Sequence, residues 1–143
     1  MLRFTYPVTL TQDETDGGFV VTFPDLPEAI TQGDTIEQCL SDAVDCLDEA
    51  IAGRVDDGDA IPQPSVTVIG DMYKVACPIH TAIKAALYIA VKDAGISKRE
   101  LGRRLGVDEK VARRLLDPHY HGRLPAMERA LRQLGKVPEL SIR

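Results

Sequence analysis

The charges of this chain are sorted by position, and a chain sorted in this way folds most simply as two modules. Residues 1–80 hold three basic side chains, Arg3, Arg54 and Lys74, against fifteen Asp and Glu, a balance of −12. Residues 81–143 hold the other fourteen Lys and Arg against seven Asp and Glu, a balance of +7. The net charge of −5 conceals both. A length of 143 residues suits one ordinary domain or two small ones. A basic module attracts a polyanion by releasing its condensed counterions, and an acidic one suits a basic protein partner through complementary fields. The expected domains are 1–78 and 79–143.

The apolar fraction of 44% supports packed cores, and with 5% aromatics and no Trp those cores must be largely aliphatic. No stretch approaches the ~20 apolar residues of a membrane span. The N-terminal Met1–Pro7 runs directly into strand-like alternation, so no signal peptide and no membrane partner are expected. The three cysteines are odd in number and form no CxxC. Cys39 and Cys46, seven apart on a predicted helix, read as small core residues, which points to a reducing, cytoplasmic setting.

The acidic half reads as an α+β unit of order β-β-β-α-β. Phe4, Tyr6, Val8 and Leu10 alternate with Arg3, Thr5, Thr9 and Thr11, the period of a half-buried strand. Pro7 within that run favours an edge or a strand start, because it cannot donate to a ladder. Asp16-Gly17-Gly18 is a turn, and Phe19, Val21 and Phe23 alternate beyond it, completing a hairpin. Pro24–Pro27 breaks the strand, with Ala29–Gln32 a short third one. Thr35 and Gln38 form a capping box for a helix in which Ile36, Leu40, Ala43, Val44, Leu47, Ala50 and Ile51 make the buried stripe. Glu37, Asp42, Asp45, Asp48 and Glu49 fall opposite it, and Gly53 ends the helix. A final strand is expected at Val66–Ile69, paired with Tyr73–Cys77.

The basic half reads as an all-α helix-turn-helix domain of four or five short helices. Thr81–Ala94 carries a core stripe of Ile83, Ala86, Leu87, Ala90, Val91 and Ala94, stopped by Gly95. Ser97 and Glu100 form a second capping box. From Lys98 to Asp117 the spacing fits two crossed helices with a shared core of Leu101, Leu105, Val107, Ala112 and Leu115. Gly102 permits close approach and Gly106 supplies the turn. Glu109, Lys110, Arg113 and Arg114 lie on and around the outward face, opposite Val111, Ala112 and Leu115, where a recognition helix meets base edges. Lys98, at the start of the scaffold helix, is placed for a phosphate, and Arg99 beside it is a further DNA-binding candidate. Ala126–Leu134, introduced by Pro125 and stopped by Gly135, is the last helix.

The run Asp16–Pro27, followed by Thr31–Thr35 and an acidic amphipathic helix, resembles the HicB antitoxins. Ser97–Gly106 and Leu115–Pro118 resemble the Cro/lambda-repressor type of DNA-binding extension that some HicB proteins carry. The resemblance implies a type II toxin–antitoxin system. Its first domain, a degenerate RNase H-like fold, would occlude a small basic messenger-RNA-cleaving toxin of the HicA family, and its second would bind and repress the operon's own promoter. Glu28 and Ala29 depart from the Gly then Cys common in the family, which bears on a local turn. Glu37, Asp45, Asp48 and Glu49 are the expected toxin-facing acids, and a homo-oligomer, a dimer or a dimer of dimers, is expected on DNA.

Catalysis and cofactors are not expected. A nuclease would need convergent carboxylates around metal ions, whereas Asp13, Glu14, Asp16 and Asp25 sit in or beside turns. A zinc reading from Cys77-x-x-His80 and His119-x-His121 matches no common structural zinc spacing. The competing function is a one-component regulator whose first domain senses a small ligand. That would need a concave apolar pocket, which one helix on a small sheet hardly supplies.

Overall fold

The computed structural model describes residues 1–65 and 73–143 and divides into two compact units, Met1–Ile79 and His80–Arg143. An α+β unit is followed by an all-α one, as the two periodicities predict. In the first, β1 (Thr5–Gln12), β2 (Phe19–Phe23) and β3 (Leu26–Gly33) precede α1 (Ile36–Asp57) and β4 (Tyr73–Ala76). The sheet is antiparallel, in the order β3-β2-β1-β4, with α1 packed on one face. Tyr6, Val8, Val21, Phe23 and Ala29 from the strands meet Cys39, Ala43, Leu47 and Ile51 from α1 in the core. The strand expected at Val66–Ile69 lies outside the described residues.

β1 is an interior strand, so the edge expected from Pro7 is corrected. The register explains how the proline is accommodated. The Cys77 amide donates to the Phe4 carbonyl at 2.9 Å, making these two a hydrogen-bonded pair. Alternation then makes Tyr6–Val75 a bonded pair and Pro7–Lys74 a non-bonded one. The Pro7 nitrogen therefore faces away from β4, toward the side where β2 registers with β1 only from Thr9–Thr22 onward. β1 is shared in halves: its first half pairs with β4, its second with β2.

Three further expectations change. The break after Phe23 is only a two-residue turn at Pro24-Asp25, since Phe23 already pairs with Leu26. β3 then continues through Pro27, Glu28 and Ala29, which fall in an irregularity of the ladder between the Phe23–Leu26 and Thr22–Ile30 pairs. The proline is tolerated because of that irregularity and because this is an edge strand. Gly53 does not end α1. The helix continues to Asp57, and Gly58, at φ 73°, closes it by donating its amide to the Arg54 and Val55 carbonyls. Arg54 holds that last turn in place, donating to Glu28 at 2.9 Å and to the Ala60 carbonyl at 2.8 Å. Glu28, the departure from the family pattern, is thus the anchor of α1 on β3 rather than part of a turn. Its carboxyl is held below the usual range by the Arg54 hydrogen bonds.

The segment after α1 is tied back to the sheet. The Tyr6 hydroxyl donates to the Pro62 carbonyl at 2.7 Å, the Arg3 amide to Gln63 Oε1 at 2.9 Å, and the Ser65 amide and hydroxyl to Asp25. Burial raises the Tyr6 phenol well above its ordinary range, so it remains a donor.

The second unit holds α2 (Ile79–Ala94), α3 (Lys98–Leu105), α4 (Glu109–Leu116) and α5 (Leu124–Gln133). α2 begins two residues before the expected Thr81, and α5 begins at Leu124, with Pro125 in its first turn. Leu87, Ala90 and Val91 of α2, Leu101 and Leu105 of α3, Ala112, Leu115 and Leu116 of α4, and Met127, Ala130 and Leu131 of α5 form one aliphatic core.

Candidate nucleic-acid interface

The α3–turn–α4 pair is built from local signals. Ser97 caps α3, its hydroxyl accepting from the Glu100 amide at 3.0 Å. The expected reciprocal bond from Glu100 to the Ser97 amide is replaced: the Glu100 carboxylate takes Arg103 at 2.6 Å and Arg104 at 3.1 Å. Two guanidinium groups outcompete one backbone amide for a carboxylate in the first helical turn, and they pull the Glu100 carboxyl down to about 2. Gly106, at φ 68°, ends α3 in the left-handed conformation, and the Val107 amide folds back onto the Gly102 carbonyl at 2.9 Å. A Cβ on Gly102 would stand 2.8 Å from the Val107 carbonyl oxygen, so the approach of the two helices depends on this glycine.

α4 buries Ala112, Leu115 and Leu116. Val111, expected on the same buried side, is 40% exposed. At about 100° per residue, the face opposite the buried three is centred on Lys110 and Arg114, with Glu109 and Arg113 to one side. Arg113 donates to Glu109 at 2.9 Å across one turn of the exposed face. Lys98, Arg99, Lys110 and Arg114 are exposed and form no ion pair among the described residues. The expected set of six therefore divides into four free cations and one internal pair.

Three residues outside that set organise this surface. Lys84, fully buried on α2, donates from Nζ to the Arg114 carbonyl at 2.6 Å. Burial lowers its basicity, opposed by the nearby Asp117 carboxylate. Arg129 of α5 donates to the Leu105 carbonyl at 2.7 Å. Tyr120 lies under the Arg114 guanidinium, 5.2 Å from ring centre to Cζ. The sequence did carry a sign of Lys84, a lysine three and seven residues before Leu87 and Val91 on the buried stripe.

In the first unit, Glu37, Asp45 and Glu49 are exposed along α1 as expected. Asp48 is not fully on the solvent side: its Oδ1 is buried, and its charge, after burial itself, helps push the Cys77 thiol up to about 12. A thiol so held is a poor metal ligand. His80 and His121 stack on each other with centroids 4.6 Å apart. Ile36, expected in the stripe, is 39% exposed at the start of α1, while Cys39 takes the buried position. Among the turn acids, Asp13 spends an oxygen on the Thr15 and Asp16 amides at 3.0 and 3.1 Å. Asp25 holds Ser65 from the other end of β2. These carboxylates do not converge.

A strongly acidic sheet-and-helix unit on the same chain as a basic unit of short crossed helices has the make-up of a two-module regulatory binding protein. The comparisons with known proteins narrow this. Residues 5–86 match the model of the HicB-like antitoxin of bacterial toxin–antitoxin systems. The chain is 36% identical over 137 residues to the Antitoxin HicB of Escherichia coli strain K12, covering 96% of both chains. It is 36% identical over 137 residues to Antitoxin HicB 1 of Photorhabdus laumondii, covering 96% of this chain and 86% of that one. With the Antitoxin HicB of Pseudomonas fluorescens it shares 36% over 135 residues, 90% of this chain and 88% of the other. The chain belongs to the HicB-like antitoxin family.

Proposed function

We propose that this antitoxin binds two ligands and catalyses nothing. The first unit occludes a small basic messenger-RNA-cleaving toxin of the HicA type. The second is a helix-turn-helix domain that binds the operon's own promoter as a dimer and represses it. What carries the DNA reading is the row of unpaired cations, Lys98, Arg99, Lys110 and Arg114, on an α3–turn–α4 pair whose buried side is wholly apolar. What supports the toxin reading is family membership together with the charge of −12 over residues 1–80, which suits a basic partner.

The decisive experiment titrates the purified protein against the DNA upstream of its own reading frame at several salt concentrations. Specific binding should fall steeply with salt, and Lys98→Ala should weaken all sequences alike and flatten the salt slope by about one unit. Salt-insensitive or absent binding overturns the DNA reading. Co-purification with the product of the adjacent reading frame tests the toxin reading separately.

A further inference from the structure

Resting on the DNA-binding reading, we propose that Arg114 is the residue through which α4 reads a guanine in the major groove, and that Lys84 and Tyr120 are positioning residues that hold it there. Arg114 is gripped twice. Its carbonyl accepts the buried Lys84 ammonium at 2.6 Å, and its guanidinium lies 5.2 Å over the Tyr120 ring. The same ring is 5.9 Å from Lys84 Nζ, so one aromatic ring neighbours both the cation that fixes the backbone and the cation that faces outward.

The grip is itself supported. The Tyr120 amide donates to the Asp117 carbonyl at 3.1 Å, which fixes the ring just beyond the end of α4. Gly122 lies alongside the Lys84 ammonium, close enough that a Cβ there would be in van der Waals contact with Nζ at 3.4 Å. A cation at this carbonyl also suits the negative end of the α4 dipole.

Among the described residues, two arginines of the pair are without an ion pair, Arg99 and Arg114; Arg99 stands at the start of the scaffold helix α3, and Arg114 is the one on the outward face of α4. Arg103 and Arg104 are committed to Glu100, and Arg113 to Glu109. The Arg114 guanidinium lies over the Tyr120 ring and donates no hydrogen bond and forms no ion pair among the described residues, so its planar N–H fork remains available. That fork matches the O6 and N7 acceptors of guanine with two parallel hydrogen bonds. Lys110, one turn earlier on the same face, carries a point charge without that fork. A side chain already restrained by stacking loses less rotamer freedom on binding.

The test uses the full-length protein and its upstream DNA, with each guanine of the bound site replaced in turn. Arg114→Ala should abolish discrimination at one guanine, a loss of about 5- to 150-fold, and leave the others discriminated. Tyr120→Leu should weaken binding about two- to five-fold, at that guanine alone, and should have no further effect in an Arg114→Ala background. Tyr120→Phe, which keeps the ring, should bind as the unaltered protein does. Lys84→Met should lose discrimination at the same guanine. Its melting curve is read first, and if it unfolds the Tyr120 variants decide, because that side chain is 44% exposed. Retained discrimination at every guanine in Arg114→Ala overturns the proposal. So does a Tyr120→Leu effect that persists undiminished without Arg114, the mark of a merely structural residue. An unaltered protein that binds no DNA overturns the underlying reading as well.

Discussion

Arg129 on α5 and Leu105 at the end of α3 are joined by one charged hydrogen bond of 2.7 Å, from a guanidinium to a helix-terminal carbonyl. Together with Lys84 and Arg114 it makes a rule for this unit: each of the two short helices of the pair ends on a cation lent by another helix. Eight-residue helices have few internal bonds, so their last carbonyls matter disproportionately. Arg129→Met should preserve most of the side-chain packing and cost about 1–2 kcal/mol, read as a lower melting temperature of the full-length protein.

Two glycines in helices should respond to alanine with opposite signs. Gly102→Ala gains helix propensity of about 1 kcal/mol, but its Cβ would press on the Val107 carbonyl oxygen at 2.8 Å. The clash involves backbone, so the helices must separate, and a net loss of about 1–3 kcal/mol is expected. Gly53→Ala meets nothing within 4 Å on α1 and should stabilise by about 0.5–1 kcal/mol. Paired denaturant melts check both signs. Equal signs would refute the steric account.

The Glu100 cluster sets an acid limit on α3. Its carboxyl titrates at about 2 in the fold, first because Arg103 and then Arg104 hydrogen-bond the ionised form, against an ordinary value of 4.5. The folded value is the lower one, so the stabilisation is complete above about pH 4.5 and is lost as pH falls toward 2. Glu100→Gln should remove this part of the acid dependence, and an NMR titration of the Glu100 carboxyl should give the depressed midpoint directly.

The exposed acids of α1 should act on the toxin through rate. Charge reversal at Asp45 and Glu49 should slow association several-fold at low salt and leave dissociation nearly unchanged, because steering raises the encounter rate while apolar contacts set the lifetime. Stopped-flow association at two ionic strengths measures it. Unaltered kinetics would mean that the toxin docks elsewhere, on the strands. Asp48 is unsuitable for this test, since one of its oxygens is buried.

Much of this architecture is legible in the sequence because its signals are local. The Asp16-Gly17-Gly18 turn, the Ser97 cap and the Gly106 turn each need only the residues that form them. The misread features depend on distant partners. Gly53 and Gly58 are both plausible helix ends, and the Arg54 bonds to Glu28 and Ala60 favour the later one. The length of β3 is hidden by Pro27, which is tolerated because it falls in a ladder irregularity on an edge strand. Lys84 sits at a buried position of the α2 stripe, but the type of the residue points to water. Its burial depends on a carbonyl thirty residues away, which no periodicity encodes. The Glu109–Arg113 pair is spaced four apart on one helix and is legible, whereas the place of Tyr120 at Arg114, beyond the end of α4, is not.

The division of β1 between two partners has a consequence in time. Its second half can pair with β2 as soon as the hairpin emerges during synthesis, because the tip residues are local. Its first half must wait for Tyr73–Ala76, and the Tyr6 hydroxyl for a carbonyl 56 residues further on. Contacts of such separation form slowly, whereas the helical unit closes through near neighbours. A ribosome-bound chain therefore holds β1 half-paired until β4 has been made. The Phe4–Cys77 rung is among the last hydrogen bonds of the sheet to close, and interrupting synthesis just before residue 73 should leave an unpaired strand edge exposed to proteases.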